Sequence, residues 1–441
     1  MVITEKIANQ TKTSTAPYLS EAVQIWFRLG CISFGGTAAH IAIMHDDFVE
    51  RKRWISNEDF FHALSHCMIL PGPEAQQLAV YIGWKLHGIK GGIIAGTLFV
   101  LPSMFVLLVL SIVYARFGSL PWITALFVGL KAAVLALLIL ALVRLAKRSL
   151  VAPIQWAVAL GTFIALIWLR ASIPLMMLAA IVIGLARAKF RPSLAGSTPS
   201  IPNHQRSEAN SAARRQAPQP FVKIITAGLL IWLMPLLVLY VLGREFGFWM
   251  QLALFFTRSA FVTVGGSYTV IPYVAHAAVT KYYWLSRSEM LDGFALAETT
   301  PGPLIIVVAF VGFMAGFHHF HGSIAMGTLA LLITTLYTFL PCFLFVFASA
   351  SLIEKTQNNK SVKAVLELIM AVVVAAMIDL AVFLGRGVLF PTSTYSLSGL
   401  DWIASAWVGL SLLLLGTSTT NVAGVIGLSL GFGIERWLIH I

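Results

Sequence analysis

The chain has 441 residues, 58% of them hydrophobic and only 11% charged, against about 25% charged in a soluble protein. That excludes an ordinary water-soluble domain. The formal net charge of +12 sits between apolar runs, so it reads as the positive-inside bias of a membrane protein rather than as a nucleic-acid footprint. Three cysteines, Cys31, Cys67 and Cys342, are too few and too scattered for a disulfide framework or a metal cluster.

Residues 1–20 are polar and carry no secretory leader, which predicts a cytoplasmic N-terminus. Long apolar runs follow, among them 91–114, 120–143 and 400–433, each long enough to cross a bilayer core of about 30 Å. In hydrocarbon every backbone polar group must be satisfied internally, so the runs are expected to be helices. They show no period-2 alternation, which argues against a β-barrel. A first repeat is expected over 21–186, with spans centred near 33, 72, 102, 132, 160 and 180. Residues 187–221 are rich in Pro, Ser, Asn and Arg and nearly devoid of large apolar residues, as in a loosely ordered linker. An extra transmembrane helix is expected over 222–243. The second repeat, 244–441, has spans near 261, 303, 335, 374, 409 and 428. The expected fold is therefore an all-α polytopic membrane protein of about 13 spans. With the N-terminus inside, nineteen of the thirty Lys and Arg fall in cytoplasmic loops and eight outside, which supports that orientation and a basic cytoplasmic linker.

The halves share a pattern at one unbroken offset of 230 residues. Gly35-Gly36, Val49, Trp54 and Pro71-Gly72-Pro73 match Gly265-Gly266, Val279, Trp284 and Pro301-Gly302-Pro303. Arg28 and Arg258 obey the same offset, as do Ser56 and Ser286, and Gly92 and Gly322. This many matches indicates duplication. The unmatched helix near 232 starts the second repeat on the opposite side of the membrane, giving two inverted-topology repeats of about six helices. In secondary transporters so built, the substrate site lies near the midplane where the repeats meet.

Proline removes a helical donor and glycine permits unusual backbone angles, so the GG and PGP motifs are expected to break helices in mid-membrane. Such breaks are tolerated where they line a cavity or are buried in protein, and their free N–H groups suit an anion. Arg28, Arg258 and Lys131 are charges within spans, where a charge is costly and usually functional. Arg also offers a planar fork for an oxyanion. The alternatives are snorkelling for the two arginines and an ion pair with a buried acid for Lys131. Glu74, Glu298, Asp292 and Asp379 are the acids in or beside spans. Glu74, Glu298 and Asp379 are candidates for proton coupling, or else neutralise those cations. Trp54 and Trp284 read as interfacial anchors. His318, His319 and His321 lack a metal-ligand spacing, and no P-loop, HExxH or GxSxG arrangement occurs. No cofactor, metal or enzymatic activity is expected.

The twice-occurring pattern of Gly-Gly, Val, Trp and Pro-Gly-Pro, together with Phe27-Arg28-Leu29-Gly30 and Ser33-Phe34-Gly35-Gly36, resembles the signature of the chromate ion transporter superfamily in its long two-domain form. The resemblance covers roughly 22–186 and 247–438. It implies a multi-pass protein of the plasma (inner) membrane that exports chromate from the cytoplasm by alternating access, driven by the proton motive force, and so confers chromate resistance. By the resemblance the functional positions are Arg28, Gly35, Gly36, Trp54, Pro71, Gly72, Pro73 and their mates in the second half. An anion channel or a sulfate transporter of the same architecture is the alternative. The expected partners are the oxyanion and the lipid bilayer, with no nucleic acid, and a homodimer fits the architecture.

Overall fold

A computed structural model describes residues 17–34, 36–118, 120–190, 221–241, 243, 245–264, 267–349, 360–390, 400–416 and 422–439. The expected linker at 187–221 and the cytoplasmic N-terminus fall almost wholly outside this set. The described residues form helices and connecting turns, with no strand among them.

The first half contains α1 (Leu19–Ile32), α2 (Gly36–His45), α3 (Asn57–Cys67), α4 (Glu74–Phe117), α5 (Pro121–Ser149), α6 (Pro153–Trp168) and α7 (Ile173–Phe190). After α8 (Phe221–Val241), the second half contains α9 (Phe246–Val262), α10 (Val270–His276), α11 (Arg287–Thr299), α12 (Val307–His319), α13 (Ile324–Ser349), α14 (Lys360–Leu389), α15 (Trp402–Gly416) and α16 (Val422–Ile439). Among the described residues, five helices are long and apolar enough to cross a membrane: Glu74–Phe117, Pro121–Ser149, Val222–Val241, Ile324–Ser349 and Lys363–Leu389. Shorter apolar helices complete the set. Large apolar side chains point outward from many of them, including Phe105, Leu178, Leu237 and Leu413, whereas Gln76, Gln77 and His40 are buried. Apolar groups outside and amides inside reverse the arrangement of a soluble protein, and suit lipid as the surrounding solvent.

Helix α4 is not a single rod. At 1.5 Å per residue its 44 residues would span about 66 Å, twice a bilayer core. The helical angles fail at His87 (φ −135°) and Gly88 (φ +68°), and the chain folds back into two antiparallel arms. A Cβ on Gly83 would lie 2.5 Å from the Gly91 carbonyl oxygen and 2.7 Å from the Ala95 Cβ. Small residues thus let the arms close to backbone contact. The two arms account for the spans expected near 72 and 102, with Lys85 and Lys90 flanking the turn. Helices α12 and α13 form the corresponding hairpin in the second half, with Gly316 against Ala330.

Local geometry recurs at the 230-residue offset. Each half has a π-helical stretch, Asp46–Arg51 and Ala277–Lys281. Next come a residue at φ 52°, Arg53 or Tyr283, and a tryptophan whose N–H bonds back six residues: Trp54 to Phe48 O at 2.8 Å, Trp284 to Ala278 O at 2.9 Å. Ser56 and Ser286 then cap α3 and α11, accepting from Asp59 N and Glu289 N, each at 3.1 Å. Such caps satisfy amides that a helix start leaves unpaired. Around these elements α1 packs on α4, α9 on α13, α14 on α5 and α7, and α16 on α5. The last two pairings tie the halves together.

Candidate functional site

The two halves meet where their helices break. Helix α1 ends at Ile32, and Ser33 leaves the helical region at φ −77°, ψ 79°. Helix α9 ends at Val262, and Thr263 does the same at φ −76°, ψ 63°. The paired breaks lie at Pro71-Gly72-Pro73, between α3 and α4, and at Pro301-Gly302-Pro303, after α11. Gly72 and Gly302 stand at φ +134° and +105°, conformations that L side chains rarely adopt. Because proline has no N–H, each tripeptide holds one amide proton, that of its glycine. Gly72 N–H donates to Thr263 O at 2.6 Å, and Gly302 N–H donates to Ser33 O at 2.6 Å. Both donors and both acceptors are 230 residues apart, so the contact is reciprocal.

This use of the amides departs from the expectation that they lie open to an anion. The only N–H in each tripeptide is taken by a carbonyl of the other half, so Pro71, Gly72, Pro73, Pro301, Gly302 and Pro303 form a joint. Gly36 opens α2 at φ +82°, with the Tyr268 hydroxyl 3.6 Å from where its Cβ would be. Gly35, Gly265 and Gly266 lie outside the described residues.

Polar side chains surround the joint. Gln77 Nε2 donates to Pro71 O at 2.6 Å, while Gln77 Oε1, both amide atoms of Gln76 and Ser33 Oγ have no hydrogen-bond partner, and His40 has none but the Ser33 backbone. All four residues are at most 1% exposed. Ser103, against Gly302, donates its own hydroxyl to Val100 O at 2.7 Å. The Tyr268 hydroxyl lies within electrostatic reach of Glu298 and Arg144, and Glu74 within reach of Arg148. Arg144 and Arg148 are one turn apart on α5, so they share a face. Sequence reasoning passed over Ser33, His40, Gln76, Gln77, Tyr268 and the two α5 arginines. For His40 the available signal was a polar residue one helical turn after Gly36, and for the arginines two like charges one turn apart.

The remaining expected site residues lie elsewhere. Lys131 Nζ is 3.1 Å from Asp292 Oδ1 and 2.7 Å from Ser288 Oγ, and Tyr114 donates to Asp292 Oδ2 at 2.8 Å. Lys131 and Asp292 expose 16% and 5% of their side chains, so this is a largely buried ion pair between α5 and α11. It matches the ion-pair alternative for Lys131. Arg28 is half-exposed and 3.6 Å from Asp47 Oδ1. Arg258 is exposed, and the position matching Asp47 is Ala277, so the pair is not repeated. Asp379 Oδ2 is 2.8 Å from His276 Nε2. Trp54 stacks on Phe48, ring centroids 5.7 Å apart. Trp284 is buried among Phe255, Phe256 and Tyr282. As an anchor it grips protein, because its π-helical neighbour folds the ring inward. Among the described residues no group of three or more His, Cys, Asp or Glu could hold a metal ion.

Apolar helices with outward-facing hydrophobic residues, together with helix breaks joined across the two halves, define a polytopic membrane protein. The chromate transporter family model matches residues 20–185 and 250–434, and the chain belongs to that family. A chromate transport protein of Cupriavidus metallidurans is 28% identical over 381 residues, 86% of each chain. A chromate transport protein of Pseudomonas aeruginosa is 29% identical over 424 residues, covering 94% of this chain and 91% of that one. A transporter of Methanocaldococcus jannaschii described as uncharacterized is 26% identical, covering 81% of this chain and 82% of its own. These relatives carry transport names, which points to a transporter rather than an enzyme. No solved structure matches the chain.

Proposed function

We propose that the protein is a secondary transporter that exports chromate from the cytoplasm by alternating access. In this reading the regions 21–186 and 244–441 are inverted repeats, set opposite by the helix at 222–243, and the protein sits in the inner membrane with its N-terminus in the cytoplasm. The observation that carries it is the reciprocal pair of bonds, Gly72 to Thr263 and Gly302 to Ser33. Each half stops a helix and holds the other half's proline-flanked glycine at that stop. Irregular backbone at membrane depth is tolerated where it is buried in protein or lines a cavity, and in secondary transporters broken helices form the substrate site. The names of the relatives from Cupriavidus and Pseudomonas support chromate as the substrate.

The same reading assigns the residue roles. The proline-flanked glycines are the joint about which the halves rock. The unpartnered polar groups beside it take the anion, and Arg28 balances its charge. Glu298, near Tyr268 and Gly36, carries the coupled proton, with Glu74, which does not match it at the 230-residue offset, as the other choice. The test is chromate uptake into everted membrane vesicles, with and without a proton gradient, and with sulfate as competitor. Gradient-driven uptake that an uncoupler abolishes is the expected result. Sulfate uptake alone would reassign the substrate. Flux that only follows the chromate gradient, whatever the pH gradient, would mean a channel.

A further inference from the structure

We propose that the oxyanion site is one-sided. Neutral donors of the first half, on Ser33, His40 and Gln76, grip the tetrahedral anion, Gln77 holds the neighbouring tripeptide in place, and the positions that match these four in the second half do not repeat the donors. The inference rests on the reading of the chain as an oxyanion transporter.

Buried polar groups in native proteins are nearly always hydrogen-bonded, because an unpaired one keeps its full desolvation cost. In a membrane protein water is scarce, so the exception is sharper. Here Ser33 Oγ, both amide atoms of Gln76 and Gln77 Oε1 are unpartnered, and His40 has no partner but the Ser33 backbone, in residues at most 1% exposed. They gather at the joint. The His40 ring lies beside the Ser33 backbone and 5.7 Å, centroid to centroid, from Phe99. The Ser33 carbonyl receives Gly302 N–H, and Gly302 lies against Ser103 and Phe99. Gln77 grips Pro71 O, in the tripeptide whose glycine reaches Thr263. Gln76 and Gln77 stand in the first turn of α4, where backbone N–H groups add positive potential.

The second half does not repeat these four groups. At the same offset it has Thr263, Val270, Ile306 and Val307. Thr263 Oγ1 is satisfied by Ser259 O at 2.8 Å, and the other three are buried in the apolar core. A hydroxyl, an imidazole N–H and a carboxamide NH2 are neutral donors with room for several oxyanion oxygens. They replace hydration without binding so tightly that release fails.

The experiment uses the purified full-length protein, measuring chromate flux in proteoliposomes and the chromate-induced rise in melting temperature in detergent. Ser33→Ala, His40→Phe and Gln76→Leu are compared with wild type, with sulfate as second probe. Each variant is expected to raise the half-saturating chromate concentration at least tenfold and to lose most of the ligand-induced shift. Its ligand-free melting temperature stays equal or rises, because an orphaned polar group has been removed. A lower ligand-free melting temperature with unchanged half-saturation would overturn the proposal and make the groups structural. Ser33→Ala deletes one oxygen, so it separates these two outcomes even if the bulkier changes fail to fold. If wild type shows no shift and no flux with either anion, the oxyanion reading itself fails, whatever the variants do.

Discussion

Gly302→Ala tests the joint most directly. Gly302 sits at φ +105°, and a Cβ there would lie 2.5 Å from Ser103 Oγ and 2.7 Å from Ser103 Cβ. The backbone conformation costs a non-glycine residue about 1–3 kcal/mol. The overlap adds about 1–3 kcal/mol of overpacking, since Ser103 is fully buried and tied to Val100 O. Relief by rotating the backbone would weaken the Gly302 to Ser33 bond, about 1 kcal/mol more. The expected loss is about 2–6 kcal/mol, read as a lower melting temperature in detergent and a collapse of chromate flux. A Ser103→Gly change in the same chain removes the overlap and leaves the backbone cost, so it should recover about half of the loss. Gly302→Ala with wild-type melting and flux would refute the assignment of the tripeptide as a constrained contact between the halves.

Three further outcomes are expected. Lys131→Met strands Asp292 in a buried setting, so stability should fall by about 3–5 kcal/mol; Asp292→Leu added to it should restore most of the melting temperature, and failure to do so would mean the pair is not what holds α5 to α11. Arg28→Ala should cost no more than about 1 kcal/mol, because the guanidinium is half-exposed and Asp47 keeps Arg51 at 3.8 Å, yet flux should drop at least tenfold; unchanged flux would remove Arg28 from the anion path. Glu298→Gln should keep chromate exchange down its own gradient and lose stimulation by a proton gradient in everted vesicles, whereas full stimulation would assign coupling to another group.

Much of the architecture was legible because its causes are local. Hydropathy runs marked the helices, Pro71-Gly72-Pro73 and Pro301-Gly302-Pro303 marked breaks, and Lys85 and Lys90 marked the turn inside α4. The constant offset showed that the breaks come in pairs. The site was legible as a region and not as a set of contacts. For Lys131 an ion pair with a buried acid was one of two readings, but the sequence did not say which acid, because Asp292 lies 161 positions away. Gln76 and Gln77 carried no periodic signal, since an amide among apolar residues reads the same whether it is satisfied or orphaned.

By itself, then, the sequence determined the membrane class, the places where helices stop and the duplication, all properties of short windows governed by transfer free energy and backbone sterics. Only the tertiary structure decided what the freed backbone groups do. It paired each glycine amide with a carbonyl of the opposite half and left the polar groups of the first half unpaired beside it. Those outcomes depend on packing between segments 230 residues apart, and no local pattern encodes which donor meets which acceptor across that distance.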